Sequence, residues 1–342
     1  MPKIYTEIEN LIITEVKPTE SNSAEQTYER LERVAGNLPV IDVPQDLSLE
    51  THFVEEAQIC DFRAHLAGCK EILDVGCGDG WPLLRLAPFF ESVTGIDASG
   101  RRVATSLANA ERLGIKNIRV LQMSATALDF ADDSFDAVVS AFGVEQCPDP
   151  YQALREVFRV LKPGGKLRLV FEAYETAGRV VTEQVFLTEN EESLGYHYVL
   201  RHQRPPWERN YLVKFTPTPE IKEEFRRLKD LIARLGSVPT QVPEIGKDFL
   251  EKNLGYVKGG SWYELEHFTS TAMKETLEEI GFVDVEIIYY AGTFARKLWG
   301  EIKDEGMSAT QLKAVCRGLA ELAKEMQAPA GSGEPVKAIK PK

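Results

Sequence analysis

Cysteine is scarce in this chain. Its 342 residues contain five, Cys60, Cys69, Cys77, Cys147 and Cys316, an odd number with no C-x-x-C pair, so neither a disulfide framework nor a zinc site is indicated. No apolar run approaches the ~20 residues that a membrane-spanning helix needs. The amino terminus, MPKIYTEIEN, has no apolar h-region of the kind that marks a secretory signal. A soluble, reducing, cytoplasmic setting with no membrane span is the expectation. Positive charge is also short, with 40 Lys and Arg against 53 Asp and Glu and a net charge of −13. A surface that tracks phosphates needs clustered Lys and Arg, so nucleic acid is not expected as the main partner. The dinucleotide fingerprint G-x-G-x-x-G is missing as well. Counted from Gly76 its last position falls on Trp81, and counted from Gly78 on Leu83.

What the chain does contain is concentrated between Glu71 and Asp97, EILDVGCGDGWPLLRLAPFFESVTGID. An apolar run (Ile72, Leu73, Val75) leads into glycines at alternate positions, Gly76, Gly78 and Gly80. A short helical stretch follows, Pro82 to Ala87, and a second apolar strand, Val93 to Ile96, closes on Asp97. Glycines at such a turn permit positive φ and close approach of the backbone to a ligand at the carboxyl ends of the strands. An acid at the end of the second strand is placed to take the two hydroxyls of a ribose, so the pattern predicts a nucleoside-bearing cofactor. Asp97 can equally cap the helix that begins near Ser99.

Asp74, Gly76, Gly78 and Gly80 spell D-x-G-x-G-x-G, and in this the sequence resembles the class I S-adenosylmethionine-dependent methyltransferases. Two further stretches carry the resemblance, Asp133 to Pro150 (DSFDAVVSAFGVEQCPDP) and Leu154 to Val170 (LREVFRVLKPGGKLRLV). Both are similar to the fourth and fifth strand regions of the small-molecule branch that includes the ubiquinone/menaquinone-biosynthesis methyltransferases. The resemblance implies an α/β, Rossmann-like seven-stranded sheet of order 3-2-1-4-5-7-6, with an amino-terminal helical extension and an insertion after the fifth strand. S-adenosylmethionine is the implied cofactor. Asp74, Gly76, Gly78 and Gly80 are expected to line its methionine portion, Asp97 its ribose and Ala98 its adenine.

The remaining chain is read as a series of segments. Residues 1–49 form an amino-terminal extension in which residues 4–14 read as a short strand and a helical pattern runs from Tyr28 to Val34. Residues 50–173 are the cofactor-binding core, opened by a helix over 50–67 that is either a lid or a packed extension. Residues 174–268 lose the βα rhythm and are rich in Pro, Tyr and Trp, with one clear amphipathic helix, Pro219 to Leu235. Residues 269–305 close the core with helix, glycine and strand. Residues 306–327 hold a carboxy-terminal helix with Ser308 and Gln311 as a capping box, and residues 328–342, rich in Pro, Gly and Lys, read as a disordered tail.

Two departures from the family bear on chemistry. Where many relatives carry an acid after the third strand for the adenine amino group, this chain has Ser124 followed by Ala125. Where many show paired histidines after the fourth strand, it has Gly143-Val144-Glu145-Gln146-Cys147. Glu145 is a candidate general base or cation partner, or else a solvated loop acid. Gln146 is expected beside the cofactor, and Cys147 as a small apolar filler. His197 is a second candidate base and His202 a weaker one. Glu172, Trp207 and Tyr211 are candidate acceptor-binding residues, the aromatics because Trp and Tyr build rigid pocket walls at low entropic cost; the same region can instead be a homodimer surface. The expected activity is methyl transfer to a small or lipid-like organic acceptor. The alternatives are a S-adenosylmethionine-binding module without activity, or a methyltransferase of macromolecules, against which the acidic balance and the lack of an Asn-Pro-Pro-aromatic motif argue.

Overall fold

A computed structural model of the chain describes residues 3–20, 46–175, 181–189, 194–203, 206–235 and 244–342. Helix α1 (Glu7–Leu11) continues through a π-helical turn, Ile12–Val16, to β1 (Thr19–Glu20). There follow α2 (Glu50–His65), β2 (Glu71–Val75), α3 (Leu83–Leu86), β3 (Ser92–Asp97), α4 (Gly100–Leu113), β4 (Ile118–Gln122), β5 (Phe135–Ala141), α5 (Pro150–Val160) and β6 (Leu161–Val170). Next come β7 (Val181–Glu189), β8 (Leu194–Gln203), β9 (Pro206–Phe215), α6 (Pro219–Leu235), α7 (Lys247–Asn253) and β10 (Val257–Glu266). The last elements are α8 (Ser270–Ile280), β11 (Val283–Ile287), α9 (Ala291–Ile302), α10 (Ala309–Glu325) and β12 (Val336–Ile339). The chain divides into two compact units, Asn37–Glu175 with Phe268–Lys342, and Met1–Gly36 with Thr176–His267.

The first of these units is built on a seven-stranded sheet of order β11-β12-β6-β5-β2-β3-β4. Counting its strands from β2, that order reads 3-2-1-4-5-7-6 from the β4 edge, as the resemblance implies. The strands β2 to β6 run parallel and β12 runs antiparallel to β6. Parallel strands are covered on both faces, and here alternation along each strand feeds two cores. Leu73, Val75, Val138, Leu167 and Leu169 pack with α5 and α8. Ile72, Ala137, Val139 and Val170 pack on the other side with α2, α3 and α4. The outer face of α2 is in turn covered by α9 and α10 through Phe53, Ala57, Cys60, Ala295, Trp299 and Cys316.

The caps that end these helices follow from sequence. Ser99 accepts from the Arg102 amide (3.3 Å) to start α4, and Gly114 closes it in the left-handed conformation, φ 68°. Ser308 and Gln311 form the capping box of α10. The tail, in contrast, is not disordered. Val336–Ile339 enters the sheet as β12 between β6 and β11, with Val336 and Ala338 buried, because two apolar residues at alternate positions suffice where paired strands wait on both sides.

The second unit holds a five-stranded sheet, β1-β10-β9-β8-β7, antiparallel except for the β1 to β10 pairing. Its strands β7 to β10 occupy the region whose pattern predicts no βα rhythm, and α6 lies at the predicted positions. Residues 7–16 are helical rather than a strand, and the physical reason lies far along the chain. Ile8 and Ile12, one turn apart, enter the core of this unit. Between them Glu9, fully buried, accepts from the Arg209 guanidinium (3.1 Å) and the Tyr211 hydroxyl (2.8 Å). The helical pattern from Tyr28 to Val34 lies outside the described residues.

Candidate cofactor and acceptor site

At the carboxyl end of β2 the backbone turns through Gly76, Gly78 and Gly80 at φ 78°, 54° and 113°. At Gly76 the need for glycine is steric as well as conformational: a β-carbon there would stand 2.7 Å from the Cα of Gly143. A β-carbon on Gly143 would in turn meet the Val75 carbonyl oxygen at 2.5 Å. The loops after β2 and β5 therefore touch backbone to backbone. Gly143 carries no role in the sequence pattern, since its partner is 67 positions away (143 − 76).

Asp97, at the end of β3, organises the loop. Its Oδ2 accepts from the Gly78 amide (3.0 Å) and its Oδ1 from the Ser99 amide (2.9 Å), whereas the cap of α4 is the Ser99 side chain itself. A carboxylate accepts about four hydrogen bonds, enough to order the loop and also to receive a ribose. Ala98, next to it, is half-buried, and its carbonyl accepts from the Gln122 side chain (3.1 Å). Beneath the loop, Asp74 is fully buried and neither of its oxygens has a hydrogen-bond partner. Burial pushes its pKa well above the ordinary carboxylate value; the Leu83 amide offsets a little of this without reaching normal hydrogen-bond geometry, and Asp97 adds repulsion.

After β4, the Ser124 hydroxyl is paired with the Thr126 hydroxyl (2.9 Å), and Ala125 is buried in the core on the α5 side. After β5, the residues Val144–Gln146 make a short 3-10 turn in which Gln146 is half-buried. Glu145 is 1% exposed, so it is not a solvated loop acid. Its Oε1 accepts from the Glu172 amide (3.2 Å), which ties the end of β5 to the end of β6, and its Oε2 has no partner. Burial, reinforced by the neighbouring charge of Glu172, pushes its pKa up to about 7. Just before it, Phe142 has φ 58° with a 49% exposed side chain, a conformation that bulky residues avoid. No local pattern in the sequence announces it.

Residues 73–169 match the family described as "Methyltransferase domain". That segment is similar to methyltransferase domains. Among curated relatives, the uncharacterized methyltransferase YcgJ of Bacillus subtilis is 36% identical over 99 residues, 29% of this chain and 39% of its own length. A phosphatidylethanolamine N-methyltransferase of Cereibacter sphaeroides is 34% identical over 130 residues, 37% of this chain and 62% of its own. A demethylmenaquinone methyltransferase of Listeria welshimeri is 35% identical over 127 residues, 33% of this chain and 54% of its own. The chain thus spans between 39% and 62% of the length of these three relatives.

The similarity to methyltransferase domains implies S-adenosylmethionine, and the residues present fit that group. Asp74 is a buried acid without a hydrogen-bond partner, of the charge that suits an ammonium; the backbone at Gly76 and Gly143 leaves no room for a side chain; Asp97 is an acceptor already aligned by two amides, of the kind that suits a ribose. Gln146 and Ser124 stand on the same carboxyl rim of the sheet.

The remaining candidates lie in the other unit. His197, on β8, is buried and meets the Thr188 hydroxyl at 3.1 Å; burial, with a contribution from Lys214, lowers its pKa to about 4. His202 stacks on Trp207, ring centroids 4.9 Å apart and planes 3° from parallel. Trp207 and Tyr211 belong to that unit's own core, and the Tyr211 hydroxyl is committed to Glu9. Packing inside their own sheet and helices accounts for both aromatics without an acceptor.

Proposed function

We propose that this chain transfers a methyl group from S-adenosylmethionine to a small or lipid-like organic acceptor. The observation that carries this reading is the glycine loop whose Gly78 amide is held by Asp97 above the unpartnered Asp74. The donor, when bound, supplies a methyl group on a positively charged sulfur, so the protein has mainly to align the partners and, for an acceptor that must lose a proton, to take that proton. Asp97 holds the ribose, Asp74 faces the amino-acid end, and Ser124, Ala125 and Gln146 border the adenine side. Glu172, exposed at the end of β6, is the acceptor-side residue. Two of the named relatives, acting on a phospholipid and a menaquinone precursor by their names, support an acceptor outside the macromolecules. A charge-assisted hydrogen bond contributes about 1.5–3 kcal/mol. Asp97→Ala is therefore expected to weaken S-adenosylhomocysteine binding by about tenfold to a hundredfold in calorimetry, with an unchanged dissociation constant in a folded variant counting against the assignment.

Glu145 is the group we assign as base, because a pKa of about 7 keeps both protonation states accessible near neutral pH. That shift has a consequence for stability whose sign is opposite to that of a salt-bridged acid. The folded state raises the pKa from the ordinary 4.5 to about 7. The group's contribution is therefore fully present below about 4.5 and is lost as pH rises through 7. Glu145→Gln, which cannot ionise, is expected to have a higher midpoint of thermal unfolding than the parent at pH 8 and no such advantage below pH 4.5, while methyl transfer falls. Equal midpoints at pH 8 would place Glu145 in solvent rather than in the interior.

A further inference from the structure

The glycine loop stands at the carboxyl end of β2, and the opposite pole of the sheet carries a separate concavity. Cys69 lies just before β2 and Phe90 just before β3, and the first residues of these strands, Glu71 and Ser92, are register partners. With the end of α2 and one face of α10 they enclose a cavity of about 310 Å³. Ligand pockets run from about 300 to 1,000 Å³, so the space suits a small molecule. Part of its wall is aromatic: Phe90 is half-buried, and Phe89 is 49% exposed.

Two arginines line the cavity, Arg63 from α2 and Arg317 from α10, and neither makes a hydrogen bond or an ion pair among the described residues. The acids nearby are committed to other cations: Glu56 to Arg85 (2.7 Å), Asp61 to Arg168 (2.9 Å) and Glu91 to Lys70 (2.7 Å). Glu321, on the lining itself, is exposed and makes no ion pair with Arg317, although the two are one helical turn apart. The electronegative end of α2 is already met, since the Ala67 carbonyl accepts from Lys166 Nζ (2.8 Å). The Arg63 guanidinium lies over the Phe89 ring, 3.4 Å from its centroid. A stacked guanidinium keeps its in-plane N–H donors for an acceptor. Both arginines also act on the Cys60 thiol in the same cavity: burial pushes its pKa up to about 11 and Glu56 adds to this, while both guanidiniums pull the other way. One guanidinium fork matches the two oxygens of a carboxylate. A phosphate monoester presents three strong acceptor oxygens, enough for two forks.

We propose that this cavity binds a small organic phosphate, its phosphate group shared by Arg63 and Arg317 and its apolar part laid against Phe89 and Phe90. Free phosphate offers the same oxygens, but only the ester covers the aromatic wall and so removes apolar surface from water. The site lies at the far end of the strands from the glycine loop and Asp97, and it does not rest on the methyltransferase reading.

The test is calorimetry on the full chain at low ionic strength with phenyl phosphate, inorganic phosphate, benzoate and benzyl alcohol, each with and without S-adenosylhomocysteine. Phenyl phosphate is expected to bind one-to-one, about tenfold more tightly than inorganic phosphate or benzoate, and benzyl alcohol to give no heat. S-adenosylhomocysteine should leave the phenyl phosphate affinity unchanged. Arg317→Gln is expected to weaken phenyl phosphate by about tenfold or more. Because Arg317 is exposed, the thermal midpoint of that variant without ligand should match the parent. Arg63→Gln should weaken binding by a similar factor, and Arg63→Lys, which keeps the charge and loses the fork, by less. Parent-like affinity in Arg317→Gln overturns the proposal. So does inorganic phosphate or benzoate binding as tightly as phenyl phosphate. Displacement of phenyl phosphate by S-adenosylhomocysteine places it at the glycine loop and also overturns it. The methyltransferase reading is judged separately, by Asp97→Ala.

Discussion

Gly78→Val is expected to abolish S-adenosylhomocysteine binding in a protein that still folds. Gly78 sits at φ 54°, and placing an L-residue in the left-handed region costs about 1–2 kcal/mol, more for a β-branched one. The nearest obstacle to a new β-carbon is the end of the Arg102 side chain, 3.1 Å away, which can swing aside. The local backbone is then free to relax toward negative φ. That relaxation turns the Gly78 amide away from Asp97 and closes the face that a ligand must approach. The contrast with Gly76→Ala is informative, because there the added carbon meets the Gly143 backbone at 2.7 Å and two strand ends must separate. Gly76→Ala should lose thermal stability as well as ligand, whereas Gly78→Val should lose mainly ligand. Titration and thermal unfolding of the two variants distinguish these outcomes, and parent-like affinity in Gly78→Val refutes the loop assignment.

Asp61→Ala is expected to cost about 3–5 kcal/mol of stability, the usual penalty for leaving a buried charge without its partner. Asp61 on α2 and Arg168 on β6 are both fully buried. Oδ1 of Asp61 accepts from Nε (3.0 Å) and approaches Nη2 (2.9 Å) of Arg168, and Oδ2 accepts from the Ala291 amide (3.1 Å). Arg168 also donates to the Val336 carbonyl (3.3 Å) of β12, so one ion pair joins α2, the sheet, the start of α9 and the carboxy-terminal strand. Burial pushes the Asp61 pKa up, but Arg168, His65 and the Ala291 amide outweigh it and leave it below the ordinary 3.8. Its stabilisation is accordingly present above that ordinary value and is lost as pH falls through the lower folded one. Replacing both partners, as Asp61→Ala with Arg168→Met, should recover much of the loss, since no bare guanidinium remains in the interior. A denaturant midpoint for Asp61→Ala within error of the parent would contradict the role given to the pair.

The parts of this molecule legible in its sequence are those whose physics is local. The turn at Gly76 to Gly80, the acid at Asp97, the capped helices and the glycine stops each declare themselves within a few residues. The strand order came from resemblance, because no periodicity states which strands lie side by side. What could not be read depends on distant partners. Glu9 makes residues 7–16 look unlike a buried helix until Arg209 and Tyr211 neutralise it. Val336 and Ala338 are too few to stand out in a Pro- and Gly-rich tail, yet pairing with β6 and β11 orders them. Strands β7 to β10 are held by pairing with one another: Leu194, Tyr196, Tyr198 and Leu200 do alternate along β8, but the partners that buried His197 and Glu208 need, Thr188 and Arg201, lie on neighbouring strands. The burial of Glu145 and the backbone of Phe142 are likewise products of the assembled strand ends rather than of their own neighbourhoods.

The most direct measurement is a calorimetric titration of the full chain with S-adenosylhomocysteine and, in parallel, with NAD. The glycine spacing, Asp97 and the unpartnered Asp74 together predict saturable one-to-one binding of S-adenosylhomocysteine and no heat with NAD. Absence of binding to S-adenosylhomocysteine, or preference for the dinucleotide, would contradict the assignment at its root.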